Sequence, residues 1–175
     1  MGDEIALRPV LEGDLSFLHH LINDPVGSGE HQWYGFYDPH VYRRRWDENG
    51  LLGNDGGVLI VAAGDDRLGL VSWRKVIANR NAFYWNIGVL LAPEARGRGH
   101  GARAQRLLAE YLFAHTLVNR VEATTEIGNV AEQRSVEKAG FTREGVLRGA
   151  GFRDGRWHDG VVYSLLRAEL GREAR

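Results

Sequence analysis

The residues best placed to do chemistry in this chain are Arg96-Gly97-Arg98-Gly99-His100-Gly101-Ala102, which follow an apolar run at 87–91 and precede a helix-patterned stretch. Glycines at 97, 99 and 101 remove Cβ atoms where the main chain bends, so consecutive N–H groups can converge on an anion at a helix start. The ligand such a loop suits is a phosphate or pyrophosphate. A Walker loop would end in Gly-Lys-Ser/Thr, and Gly101-Ala102-Arg103 has neither the lysine nor the hydroxyl. A dinucleotide fingerprint spaces its glycines G-x-G-x-x-G, which 97, 99 and 101 do not match, although Glu122 stands about 20 residues on, where that motif wants an acid. A glycine-rich turn without a ligand is the alternative to a phosphate cradle of another kind.

A second group of motif residues lies downstream: Asn129-Val-Ala-Glu-Gln-Arg-Ser-Val-Glu-Lys-Ala-Gly140-Phe141, then Glu144-Gly145-Val-Leu-Arg148. Together with the spacing Arg96-x-x-Gly99-x-Gly101, it resembles the pyrophosphate loop, asparagine, helix and Gly-Phe turn of the GNAT superfamily of acetyl-coenzyme A-dependent N-acyltransferases. The closing segment Asp154-Gly-Arg-Trp-His-Asp159-Gly-Val-Val-Tyr163 resembles, more narrowly, the branch that acetylates ribosomal-protein N-termini and many small amines. The resemblance covers essentially the whole chain, with specific motifs confined to residues 86–166. It implies an α/β (α+β) fold in one domain over residues 1–175, a mixed and mostly antiparallel central sheet flanked by helices. It also implies transfer of an acyl group, acetyl first among them, from acetyl-CoA or another acyl-CoA to a primary amine, with no metal.

What the family does with each element then falls on residues of this chain. The strand before the loop splays from its neighbour, so Val89 and Leu91 become main-chain partners of the pantetheine arm, with N–H groups nearby to polarise the thioester carbonyl. The pyrophosphate falls to Gly97, Gly99, Gly101 and the amides from Arg98 to Ala102, with Arg96 or Arg98 adding charge. His100 is either a surface residue or a phosphate contact. Asn129 is expected to hydrogen-bond the pantetheine amide, or else it punctuates a turn before a helix.

The proton-transfer groups depart from the pattern. An alkyl amine needs a proton acceptor and the departing thiolate benefits from a donor. Where the related branch carries Glu in a Glu-Ile-Gly sequence, this chain has Asn86-Ile87-Gly88, and where many relatives have Ser three residues after the asparagine it has Glu132. The tyrosine used as acid elsewhere is replaced at Val136 and Glu137. Catalytic candidates are therefore Asn86 by position, Glu132 as a carboxylate on the opposite wall or a first-turn residue favoured by the helix dipole, and His31 or Glu30 from an aromatic loop. Trp33, Tyr34, Tyr84, Trp85 and Trp157 could line an acceptor pocket, with Asp159 pairing to an ammonium, and core packing is the alternative for Trp85 and Trp157. Acceptors consistent with this are a small-molecule amine or a protein N-terminus. Loss of the usual base and acid leaves room for a bulkier acyl-CoA, an aminoacyl-tRNA donor, or a CoA-binding protein without turnover.

Composition narrows the class. The 175 residues, 43% hydrophobic and 26% charged, suit one globular domain with a full core. There is no cysteine, so an acyl-cysteine intermediate, a disulfide and a thiolate metal site are excluded, and seven scattered histidines show no metal-ligand spacing. A net charge of -1 exerts no global pull on nucleic acid, Arg43-Arg44-Arg45 being a local exception that reads as a solvated face or a phosphate patch. No apolar run reaches a membrane span, and Met1-Gly-Asp-Glu is acidic where a secretory signal is basic, so a cytoplasmic protein is expected. A homodimer through a sheet edge or the C-terminal hairpin is a further expectation.

These groups need a scaffold, and the periodicity supplies one. Residues 5–10 read as an edge strand, then a helix carries Leu15, Leu18, Leu21 and Ile22 on one face until Asp24-Pro25, and 26–38 form the aromatic loop. Pro39 suits the first turn of a helix to about Asn49. Strands at 58–63, 68–76 and 83–91 form an antiparallel meander, the loop opens a helix with a stripe at Ala102, Leu107, Leu108, Tyr111 and Leu112, and strand 121–125, helix 131–139 and a hairpin of 141–151 with 157–166 close the chain.

Overall fold

A computed structural model describes residues 4–171, so Met1-Gly-Asp and the last four residues of the expected domain lie outside it. Eight strands form one sheet: β1 (Ala6–Pro9), β2 (Leu52–Gly53), β3 (Gly56–Ala63), β4 (Asp66–Asn79), β5 (Ala82–Leu91), β6 (Arg120–Glu126), β7 (Thr142–Arg153) and β8 (Arg156–Leu166). Their spatial order is β1-β3-β4-β5-β6-β8-β7, with the two-residue β2 beside β3. Every pairing is antiparallel except β5 with β6, which the helix α4 (His100–His115) joins by a crossover. The mixed, mostly antiparallel sheet expected from the motifs is the one observed.

The central strands are covered on both faces. Along β3, Leu59 and Val61 pack with Leu108, Leu112 and Phe113 of α4, while Val58, Ile60 and Ala62 pack with Leu15, Leu18 and Leu21 of α1 (Leu15–Asn23). That two-sided burial explains why β3 reads as an unbroken apolar run. On the α1 side, α2 (Pro25–Ser28) and α3 (Val41–Asn49) complete the layer, and the Trp46 indole fixes α3 by donating to Val10 O at 2.9 Å. On the α4 side, α5 (Val130–Lys138) links β6 to β7. No helix among the described residues is long and apolar enough to cross a membrane.

Three details differ from the sequence expectation. The helix expected from Pro39 begins at Val41 with His40 as its cap, because Asp38 accepts from His40 N–H and forms a turn ahead of it. The buried face of α4 is Ala104, Gln105, Leu108, Ala109, Leu112 and Phe113, which leaves Tyr111 39% exposed. Trp85 is a core residue, but Trp157 is 68% exposed and stacks edge-on against Phe152 beside the β7–β8 turn, where Asp154 and Gly155 both take positive φ, the two-residue geometry that matches strand twist.

Candidate active site

The site begins where two parallel strands part. β5 pairs with β6 only from Trp85 to Ile87; beyond that, Gly88 to Leu91 pair with β4 alone and Thr124 to Glu126 with β8 alone. Ala92 N–H donates to Leu68 O on the β4 side. Main-chain groups of successive residues point to opposite edges, so the N–H and C=O of Val89 and Leu91 face the gap. The Leu91 carbonyl confirms the direction by accepting from Arg96 Nε at 2.9 Å.

The gap opens into a cavity of about 540 Å³. Gly97, Gly99, Gly101 and Ala102 form one wall, Asn129, Glu132, Ser135 and Lys138 of the α5 segment another, and Gly29, Glu30 and His31 the rim. Gly99 caps α4 at φ 83°, a left-handed conformation that glycine adopts without strain. A Cβ on Gly101 would lie 3.0 Å from Ser135 Oγ, so the Ser135 side chain packs closely over this turn of α4. Arg96 lines the cavity and its guanidinium also donates to the carbonyls of Gly27 and Ser28, which ties α2 to the loop.

Two carboxylates stand at this gap in unlike surroundings. Glu132 opens onto the cavity but is enclosed by protein on most sides, and Gln105 Nε2 donates to its Oε1 at 2.9 Å. Burial pushes its carboxyl up to about 7, against the opposing pull of the Gln105 donor. Gln105 itself is 1% exposed, also donates to Ser135 Oγ at 3.2 Å, and keeps an Oε1 that has no partner among the described residues. Glu126, at the end of β6, instead accepts two bonds from Arg153, at 2.6 and 2.9 Å, and these hold its carboxyl below the ordinary range despite burial. His31 Nδ1 lies 3.4 Å and His158 Nδ1 3.6 Å from the same Glu126 Oε2, while His31 Nε2 is 3.1 Å from Glu30 Oε1.

A second cavity of about 370 Å³ lies on the other face of β5 and shares Gln32, Val89 and Leu90 with the first. Tyr34, Tyr37, Tyr42, Arg45 and Ser72 contribute its polar groups.

Of the residues singled out in the sequence, the structure brings Val89, Leu91, Arg96, Gly97, Gly99, Gly101, Ala102, Asn129, Glu132, Glu30 and His31 to the first cavity and Tyr34 to the second. Others line neither. Arg98 is exposed, and His100 Nδ1 lies 3.2 Å from Ala95 O. Asn86 Nδ2 points to Glu122 Oε1 at 3.4 Å, and Tyr84 packs under Arg120. Asp159 accepts from Gly149 N–H at 2.7 Å, and Trp33 meets Phe36 edge-on at 5.0 Å. Sequence reasoning missed Gln105, Ser135, Glu126 and Arg153, and named Arg45 only as one of a run of three arginines. Spacing from Gly101 could have found Gln105, one helical turn on along the same face, and from Glu132 it could have found Ser135. Nothing in the sequence pairs Glu126 with Arg153.

A family model described as an acetyltransferase (GNAT) domain matches residues 4–142. The chain belongs to the GNAT acetyltransferase family. Among curated relatives, the probable N-acetyltransferase YjcK of Bacillus subtilis is 37% identical over 110 residues, 61% of this chain and 59% of that protein. The putative ribosomal N-acetyltransferase YdaF of the same organism is 37% identical over 91 residues, 52% of this chain and 48% of that protein. The chain thus spans about half the length of the curated relatives it matches. Among solved structures, the spermidine N-acetyltransferase from Vibrio cholerae in complex with CoA and spermine has a TM-score of 0.81 at 21% identity, covering 95% of this chain and 97% of that one, a likeness of fold. Within the GNAT fold the parted strands and the glycine-capped helix occur together in this chain, with a carboxylate at position 132 and an amide at position 86.

Proposed function

We propose that this protein transfers an acyl group, acetyl in the first instance, from acyl-CoA to a primary amine by direct attack. The observation that carries the reading is the parting of β5 from β6 directly above the Gly97–Gly101 turn, which aligns a free strand edge with a helix N-terminus. A diphosphate suits the amides of residues 97–102, with Lys138 and Arg134 supplying charge at the same cavity, and an amide-bearing arm suits the open edge at Val89 and Leu91. The donor binds as co-substrate and supplies the activated thioester. With no cysteine in the chain an acyl-cysteine intermediate is excluded, and the amine attacks the thioester directly.

The residues at the gap divide the proton work. His31, whose Nδ1–H faces Glu126 and whose Nε2 is released when the exposed Glu30 carboxylate gives way to the amine, takes at Nε2 the proton that the attacking amine gives up. Glu132, whose carboxyl keeps its proton to about pH 7, gives it to the departing sulfur. The acceptor enters from the second cavity, since Val89 and Leu90 are common to both. Amine classes named for relatives, a polyamine and a ribosomal protein, define the range to be tested.

The test is saturable binding of acetyl-CoA together with release of free thiol on a panel of primary amines. Binding and thiol release that both disappear in folded Gly101→Glu protein support the reading. Undiminished binding in that variant excludes the turn as the diphosphate site.

A further inference from the structure

We infer that the acceptor of this enzyme is a small amine carrying an anion, a carboxylate or phosphate, at the end of an apolar or aromatic body. The inference rests on the second cavity being the acceptor's side of the proposed reaction, and it concerns what that cavity selects.

The chemistry of the cavity is unsuited to a polycation. Its walls combine Leu70, Leu90 and Val41 with three tyrosines, and no aspartate or glutamate among the described residues lines it. Tyrosine rings by themselves would welcome an ammonium through cation–π attraction. Arg45 on the same wall opposes that. The other two members of the arginine run are spent on ion pairs, Arg43 with Glu12 at 2.8 Å and Arg44 with Asp38 at 2.5 Å, whereas Arg45 makes no ion pair with any carboxylate among the described residues. An unpaired guanidinium facing a cavity of about 370 Å³ with phenol rings around it offers a forked donor to a carboxylate or phosphate and a flat apolar bed to the body that bears it. Burial holds the Tyr42 phenol in its proton-bearing form, so it too is a donor to such an anion, and the nearness of Arg45 to it is felt as an opposing pull on its ionisation. The reacting amine then lies at Val89 and Leu90, the wall common to both cavities, and faces the first cavity, which Glu30 and His31 also line. The two ends of the acceptor therefore meet different groups, the amine the exposed Glu30 carboxylate and the far end the Arg45 guanidinium.

The experiment is calorimetric titration of the CoA-loaded protein with four amines: tyramine O-phosphate, 4-(2-aminoethyl)benzoate, tyramine and spermidine. The anionic pair should bind at least about tenfold more tightly than tyramine, with spermidine weakest, since each tenfold corresponds to the differential energy of one charge-assisted contact. The order of the phosphate and carboxylate arms identifies which anion is preferred. Arg45→Glu should erase the advantage of the anionic pair and strengthen spermidine, whereas Arg44→Glu, which changes the net charge equally outside the cavity, should preserve the order. Spermidine binding as well as the anionic amines, a preference that survives Arg45→Glu, or no binding by any anionic amine would overturn the inference. Thiol release is read separately on the amine that binds. A bound amine that is never acylated refutes the proposed reaction and leaves the specificity of the cavity standing.

Discussion

Glu132 and Glu126 stand six residues apart, one in α5 and one at the end of β6, both largely withdrawn from solvent, and they behave as different kinds of group. Glu126 has a guanidinium on both oxygens and is a fixed negative charge that orients two imidazoles. Glu132 has a neutral amide as its side-chain partner, and burial without a counter-charge makes it a proton holder near neutrality. A carboxylate's role at such a site is set less by how deeply it sits than by whether a cation came with it. Acyl transfer to an amine needs one group of each kind, a charge to organise the base and a neutral acid for the leaving group.

The strongest challenge to this asymmetry is to put a charge on the neutral wall. Gly101→Glu places a carboxylate between α4 and α5, within reach of Ser135 and Glu132 and across the anion cradle. Acetyl-CoA affinity should fall by about a thousandfold, or about 4 kcal/mol. Gly101→Ala needs only a few tenths of an ångström from the Ser135 hydroxyl and serves as the control. Equilibrium binding checks both, with thermal melts to show that each is folded.

Removing the cation from the other wall should convert Glu126 toward the Glu132 type. Arg153→Ala strands a buried carboxylate with two histidines as its remaining partners, and unfolding free energy at pH 7 should drop by about 3 kcal/mol. The pH dependence has a definite sign. Arg153 lowers the Glu126 carboxyl in the folded state, so its contribution is present above the ordinary glutamate range and is lost as pH falls through the depressed value. Glu144, held at about 2 by Arg120 and Ser164, adds to the same acid limb. In Arg153→Ala the Glu126 part of that limb should vanish from urea titrations taken between pH 7 and pH 3. Unchanged stability in the variant would mean that Glu126 is screened without Arg153.

Glu132 predicts the reverse slope. The folded protein keeps its proton to about pH 7, whereas the ordinary glutamate value is 4.5, so between these the folded state binds more protons and stability declines as pH rises. Glu132→Gln keeps a neutral group in place and should raise the unfolding free energy at pH 8 by about 2 kcal/mol, with little change at pH 4. The same variant should lower kcat by about tenfold to a hundredfold and abolish a fall in rate above pH 7. Greater stability with lower turnover is the expected signature of a group strained for function. A wild-type rate that is flat from pH 6 to pH 9 would remove Glu132 from the proton path.

How much of this was legible in the sequence follows from the range of each interaction. The loop, the helix it opens and the strand before it are contiguous, so glycine spacing and apolar periodicity exposed them. The α5 motif was visible for the same reason, including the glutamate at 132 and its distance from Asn129. What lay hidden was the environment of that glutamate, because its burial depends on Gln105, 27 residues away on another helix. The reading of α4 placed Leu107 and Tyr111 in its stripe beside Leu108 and Leu112 and passed over Gln105, since a buried glutamine carries no apolar signal. Glu126 and Arg153 meet only because β8 lies between β6 and β7. Arg45 was indistinguishable from its neighbours until ion pairs elsewhere had taken Arg43 and Arg44.

The smallest effect tests how Glu132 is held. Asn129 Oδ1 accepts from Glu132 N–H at 3.2 Å and so caps α5, the kind of contact whose loss costs about 1 kcal/mol. Asn129 also lines the first cavity, and the other end of its side chain is an amide N–H2, a donor that such a cavity could use. Asn129→Ala removes both functions and should destabilise by that amount. Asn129→Asp keeps the cap acceptor, and adds a charge favoured at a helix start, while deleting the donor. If Asn129 serves only as a cap, the aspartate variant should match wild type in melting temperature and in acetyl-CoA affinity. If its amide also donates to the bound arm, the aspartate variant should melt like wild type and bind about tenfold more weakly, because a donor is lost and a carboxylate is left facing an acceptor. The two readings diverge in affinity while agreeing in stability, so measuring both on the one variant separates the residue that builds the wall from the residue that meets the ligand.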